Sequence, residues 1–149
     1  MGLNFKQFAA DGERFVKELA TELGYPADYN RTARVMRSVF HTVRDILSPE
    51  ESVELLAQLP MFLKAVYVEG WSLKPKKDRI RSVSQFITAV RLHDRTASER
   101  DFASDEEVEL AVVVIFNVLH KYVSLGEMED IRAVLPKEIK PLLNQILMV

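Results

Sequence analysis

Two stretches of this chain, 76 positions apart, carry the same punctuation. Ser48 and Ser124 each precede a helix-forming run, with Glu51 and Glu127 three residues further on. A serine followed three residues later by a glutamate is the signature of a capping box, in which each side chain satisfies the other residue's backbone N–H. Each run then meets a Leu-Pro pair, Leu59-Pro60 and Leu135-Pro136. Proline lacks a donor N–H and its ring clashes with the preceding turn, so a helix cannot continue through it. The same shift lays Val39-Phe40 on Ile115-Phe116 and Leu63 on Ile139, without a gap from Ala33 to Tyr67. Phe15 meets Phe86 at a shift of 71, which leaves about five extra residues in the charged run His93 to Ser104, read as a loop. The pattern predicts an all-α fold. It consists of two tandem pseudo-repeats of about four helices each, repeat 1 over 4–71 and repeat 2 over 80–147. A basic linker, 72–79, joins them into a single domain, 1–149.

Local signals bound the helices. Phe5, Phe8, Phe15, Val16, Leu19 and Leu23 recur at helical spacing between a capping Asn4 and the breakers Gly24 and Pro26. Val35, Met36, Val39, Phe40, Val43, Ile46 and Leu47 mark a second helix from about Tyr29. A third runs from the Ser48 cap to about Ala57, and a fourth from Met61 to Glu69, ended by Gly70. Ser72 to Arg81 holds Lys74, Pro75, Lys76, Lys77 and Arg79 and reads as the linker. Val83, Phe86, Ile87 and Val90 mark a fifth helix. Ile139, Leu142, Leu143, Ile146 and Leu147 mark the last.

The most apolar run, Asp105 to Val123, is expected to be a helix buried on two sides, around which the bundle packs. Alone, Ala111 to Phe116 is also a plausible strand, because β-branched residues favour sheets. Its partner in the first half, Val35 to Phe40, has clear helical spacing and decides for helix. The halves then differ in a useful way. Arg34, Arg37, His41 and Arg44 form one stripe, expected to face solvent. Their counterparts are Leu110, Val113, Asn117 and His120, and Ser38 becomes Val114. Met61 and Phe62 correspond to Lys137 and Glu138. Leu110, Val113 and Val114 are therefore expected to be buried against a surface that includes Met61 and Phe62, within the chain or across a homodimer. The first is favoured because each half alone is too small to be stable.

The 149 residues carry a formal charge of −2 and no cysteine. Disulfides, thiolate zinc sites and cysteine nucleophiles are excluded. The charge argues against a dedicated nucleic-acid binder, though a local basic patch remains open. No apolar run approaches the roughly 18 residues of a membrane span. No apolar leader follows Met1, and Lys6 breaks the myristoylation pattern that Met1-Gly2 begins. The chain is expected to be cytoplasmic.

No phosphate loop, dinucleotide fingerprint, calcium loop or nucleophile elbow is present, and no cofactor or metal is expected. His41 and Asp45, one helical turn apart, can act as a base and its orienter, but such a pair is more often a surface contact. His93-Asp94 is a weaker candidate still, and His120 lacks a counterpart in the other half. The acids of Asp105-Glu106-Glu107 and Glu127-Glu129-Asp130 sit where the helix dipole favours negative charge, which accounts for them. The candidate interaction surface is Arg34, Arg37, His41, Arg44, Met61, Phe62 and Trp71.

Gln58-Leu59-Pro60, then Tyr67 and Gly70-Trp71, then Leu135-Pro136-Lys137-Glu138 resemble the bacterial family catalogued as domain of unknown function 2267. The resemblance covers nearly the whole chain, and its paired Leu-Pro blocks are the most specific part. It implies an all-helical bacterial protein with two related halves, and it brings no catalytic residues. The expected function is a non-enzymatic helical protein-interaction or regulatory module, with a protein partner or self-association. The alternatives are nucleic-acid or anion binding through Arg34, Arg37, Arg44 and the basic linker, and a small-ligand or enzyme pocket between the repeats.

Overall fold

A computed structural model describes residues 3–73 and 79–146. Lys74, Pro75, Lys76 and Lys77 of the expected linker, and Leu147 of the expected last helix, lie outside them. All regular structure among the described residues is helical. In chain order it comprises α1 (Phe5–Leu23), α2 (Tyr29–Ile46), α3 (Pro49–Gln58), α4 (Met61–Val68), α5 (Val83–Asp94), α6 (Ser98–Asp101), α7 (Asp105–Leu119), α8 (Leu125–Val134) and α9 (Lys140–Leu143). Short 3₁₀ turns occupy Arg95–Ala97 and Lys137–Ile139.

The ends are set by the predicted local chemistry. Asn4 caps α1 by accepting from the Gln7 N–H at 3.0 Å. Gly24, at φ 94°, closes α1 in the left-handed conformation and returns its N–H to Ala20 and Thr21. Complete capping boxes open both α3 and α8, through Ser48 with Glu51 and Ser124 with Glu127. Pro60 and Pro136 each break the chain between two helical segments.

One continuous apolar core runs through the molecule, from Phe15 and Leu19 through Val39, Phe40 and Phe86 to Ile115, Phe116 and Ile139. α2 packs against α1, α4, α5 and α7; α7 packs against α1, α5, α9 and α2; and α3 packs on α8.

Three expectations are corrected. The run after His93 is not a loop: α5 continues to Asp94, and a 3₁₀ turn leads into α6. The apolar helix α7 ends at Leu119 rather than Val123, because the N–H groups of Lys121 and Tyr122 bond back three residues and tighten the chain into a turn. And Leu110 is 57% exposed, although Val113 is buried and Val114 partly so. The expected meeting of this face with Met61 and Phe62 is not among the main helix packings within the chain, where α4 and α7 each pack on α1 instead. Phe62 instead packs on Phe15 and Tyr122, with ring centroids 5.2 and 5.9 Å away. Gly12 permits that approach, since a Cβ there would stand 3.1 Å from the Phe62 Cβ. Met61 stays 43% exposed.

Candidate functional site

Arg34, Arg37, His41 and Arg44 do share one side of α2, as the spacing requires. That side does not face open water. The C-terminal end of α4 and the end of α5 with α6 close over it, so His41 and Arg44 are only 8% and 7% exposed. Ser38, on the same side, is also buried.

Each side chain of the stripe has a job in the fold. Arg34 clamps the carboxylate of Asp101, with Nε and Nη2 each 2.8 Å from one oxygen. This fork-to-fork geometry is the strongest form of the pair. Arg31 adds a bond to the Asp101 carbonyl at 2.7 Å and lays its guanidinium over the Tyr25 ring, 3.9 Å from the centroid. Burial pushes the Tyr25 phenol up to about 12. Arg37 lies 2.7 Å from Glu69, but its buried Nε–H is not aligned for a hydrogen bond, so the contact is an ion pair only. His41 donates from Nε2 to the Val66 carbonyl at 2.8 Å, and burial lowers its pKa and favours the neutral ring. Arg44 donates through Nη1 to the carbonyls of Tyr67 at 2.8 Å and Glu69 at 2.7 Å. These are carbonyls at the end of α4, which otherwise lack partners. Burial lowers the Arg44 pKa.

Asp94 and Asp101 form the acidic counterpart. Both are buried, at 6% and 1% exposed. Burial, then the hydrogen bond and charge of Asp101, push Asp94 up to about 7. Arg34 holds Asp101 below the ordinary carboxylate range against its own burial. Below about pH 7 the pair therefore holds one proton and one negative charge between its two carboxyl groups. Nearby, His93 meets Asp45 at 2.6 Å, and its ring stands 6.1 Å edge-on from His41.

Two cavities flank Arg44, and Arg44, Leu92 and His93 line both. The larger, about 1240 Å³, has a partly apolar wall that includes Trp71, Leu73, Ile80 and Leu92. Trp71 is half-buried, edge-on to Tyr67 at 5.9 Å. The smaller, about 640 Å³, is polar and lies over the arginine stripe.

Residues 12–142 match the family described as an uncharacterized conserved protein, DUF2267. The chain belongs to that family. The matched span contains every described residue that lines the two cavities. No curated protein matches the chain.

Of the surface expected from sequence, Arg34, Arg37, His41, Arg44 and Trp71 come together around Arg44. Met61 and Phe62 do not; they belong to the α1 side of the molecule. Sequence reasoning missed Arg95 and Asp101, and weighed Asp94 only as a weak partner of His93, because a charged run without apolar periodicity reads as loop. One signal was there: a stripe of cations on a helix needs a counter-charge if it is to be buried. Among the described residues, no group of three or more His, Asp or Glu is placed to hold a metal ion, and no helix is long and apolar enough to cross a membrane.

Proposed function

We propose that this chain is a non-enzymatic binding module made of two related helical halves, which receives its partner at the seam between α2 and α5. The observation that carries the reading is the wide cavity at that seam. Leu73 and Leu92 on its wall are 72% and 73% exposed, an apolar surface with nothing from the described chain upon it. Apolar side chains gathered on the wall of a concave site are what a ligand or partner can cover.

The relation between the halves is supported by the way the helices pair. Exchange α1 with α5, α2 with α7, α3 with α8 and α4 with the Lys137–Ile139 turn and α9. The packing of α1 on α7 then becomes that of α5 on α2, and α2 on α4 becomes α7 on α9. α3 with α8, and α2 with α7, map onto themselves. Reciprocity of this kind is what a two-fold relation produces. Phe40 and Phe116, matched by the sequence shift, meet each other at 5.8 Å.

Nucleic-acid binding through the stripe has less support, since Arg34, Arg37 and Arg44 already hold protein partners. A small-ligand site has a specific observation in its favour: the polar cavity is lined by His41 with Glu69 and Asp94, between the two halves.

The test is a photo-crosslinking side chain placed at Leu92, with Leu110 as the control, in cells that express the protein. Leu110 is similarly exposed but lies on α7, away from the seam. A discrete adduct at 92 and none at 110 supports the reading. Adducts at neither position, or equally at both, overturn it.

A further inference from the structure

The polar cavity carries a feature that the fold alone does not use. Arg44 is a buried cation whose hydrogen-bond partners are neutral. Both of its hydrogen bonds leave from Nη1 and end on carbonyls, and its buried Nε has no partner. Among the described residues no carboxylate forms an ion pair with it; Asp45 and Glu69 act on it only at longer range. A buried charge without a contacting counter-charge is costly, and an arriving anion offsets that cost.

A second feature stands at the same cavity. Arg95 lines it and is exposed, and no ion pair among the described residues engages it. Its backbone sits at φ 55°, ψ −133°, a conformation that side-chain-bearing residues rarely adopt. Strain of this kind is found where a side chain is held for a purpose. The cavity's charges point the same way. Arg34 and Arg37 are paired with Asp101 and Glu69, which leaves Arg44 and Arg95 facing Asp94 alone, and Asp94 is about half neutral near pH 7.

We propose that the cleft between α2, the end of α4 and the end of α5 binds the oxyanion of a small metabolite, a phosphate or carboxylate, with Arg44 as its floor and Arg95 at its mouth. A guanidinium can present two N–H groups to a pair of oxygens on either group. A cavity of about 640 Å³ is of metabolite size. A duplex backbone would have to reach Arg44, which lies 7% exposed beneath the α4 end. This deepens the small-ligand reading of the polar cavity and does not rest on the partner seam at the larger one.

The experiment titrates wild-type protein with inorganic phosphate, with acetate and with a short duplex DNA. Ionic strength is held constant with chloride, and melting temperature and calorimetric heat are read. Arg95→Gln is the principal variant, because an exposed side chain can be changed without unfolding the chain; Lys6→Gln, an exposed residue away from the cleft, is the control. The expected result is a saturable rise in melting temperature with phosphate or acetate, unchanged in Lys6→Gln and requiring about tenfold more ligand in Arg95→Gln. A response to phosphate alone assigns a phosphate ester, and one to acetate alone a carboxylate. No saturable response to either anion, or an equal response in Arg95→Gln, overturns the proposal. So does tight, steeply salt-dependent DNA binding that both variants weaken alike. If these titrations fail while the adduct at 92 forms, the ligand class falls and the binding seam stands. If the adduct fails while phosphate binds through Arg95, the partner reading falls alone.

Discussion

Arg34 and Asp101 meet fork to fork across 67 residues of chain, with both contacts at 2.8 Å and the acid's side chain fully buried. This pair fixes α6 against α2. Replacing Arg34 with Met leaves a buried carboxylate with only Arg31 near it, at 3.9 Å. The expected cost is about 3 kcal/mol, at the lower end for breaking a buried pair because Arg31 remains. Chemical denaturation of Arg34→Met measures it. A change within about 0.5 kcal/mol would show that the pair contributes nothing net.

Asp94 gives a pH dependence with a definite sign. Its folded pKa is about 7, against an ordinary 3.8 when unfolded. Between those values the folded state holds the extra proton. Stability from this group is therefore full below about pH 4 and lost as pH rises towards 7, by up to about 1.4 kcal/mol per pH unit. His41 works the opposite way, since its lowered pKa favours the folded state as pH rises through 6.5. Asp101, lowered by Arg34, acts only below the ordinary carboxylate range. Comparing wild type with Asp94→Asn cancels the His41 contribution. The variant should gain stability relative to wild type from pH 5 to pH 7; a constant difference would remove Asp94 as the titrating group.

Arg95→Gly tests the strain directly. Glycine accepts φ 55° without penalty, so the variant should be more stable than wild type by about 1 kcal/mol. A rise in denaturation midpoint is the expected reading. A fall would mean that the Arg95 side chain stabilises the fold by more than its backbone costs.

Val113 and Leu110 separate what sequence alone grouped together. Val113→Arg places a charge at a site 8% exposed and should destabilise by about 3 kcal/mol or more. Leu110→Arg, at 57% exposed, should change stability by less than about 0.5 kcal/mol. Thermal melts of the two variants side by side decide it.

The contrast shows what a single sequence discloses. Asn4, Gly24, Ser48, Ser124, Pro60 and Pro136 were legible because capping and helix-breaking are settled within a few residues. The all-helical class followed from apolar spacing for the same reason. The site was only half legible. Arg34, Arg37, His41 and Arg44 were found, but their strong amphipathic pattern is that of a surface helix. Their burial depends on partners 23 to 67 residues away, which no local rule supplies. Asp101 was missed, and Asp94 was set down as a weak partner of His93, because a buried acid and a solvated one look alike in sequence. Leu110 is exposed within the chain because which helices α7 packs on is a tertiary fact that spacing alone does not carry.

The arginine side of α2 also bears on how the chain leaves the ribosome. α1 and α4 can find α2 early, but the far side of α2 is closed only when α5 and α6 arrive, and Asp101 is among their last residues. Until then a nascent chain with an apolar seam would be sticky. Here the waiting surface carries Arg34, which stays hydrated until Asp101 is made, beside Arg37, His41 and Arg44, whose partners at the end of α4 are made with the first half. Residues 3–73 expressed alone are expected to remain in solution at synthesis concentrations yet show no cooperative thermal transition. The same guanidinium groups that later line the cleft thus act first as solubilising groups for an unfinished protein.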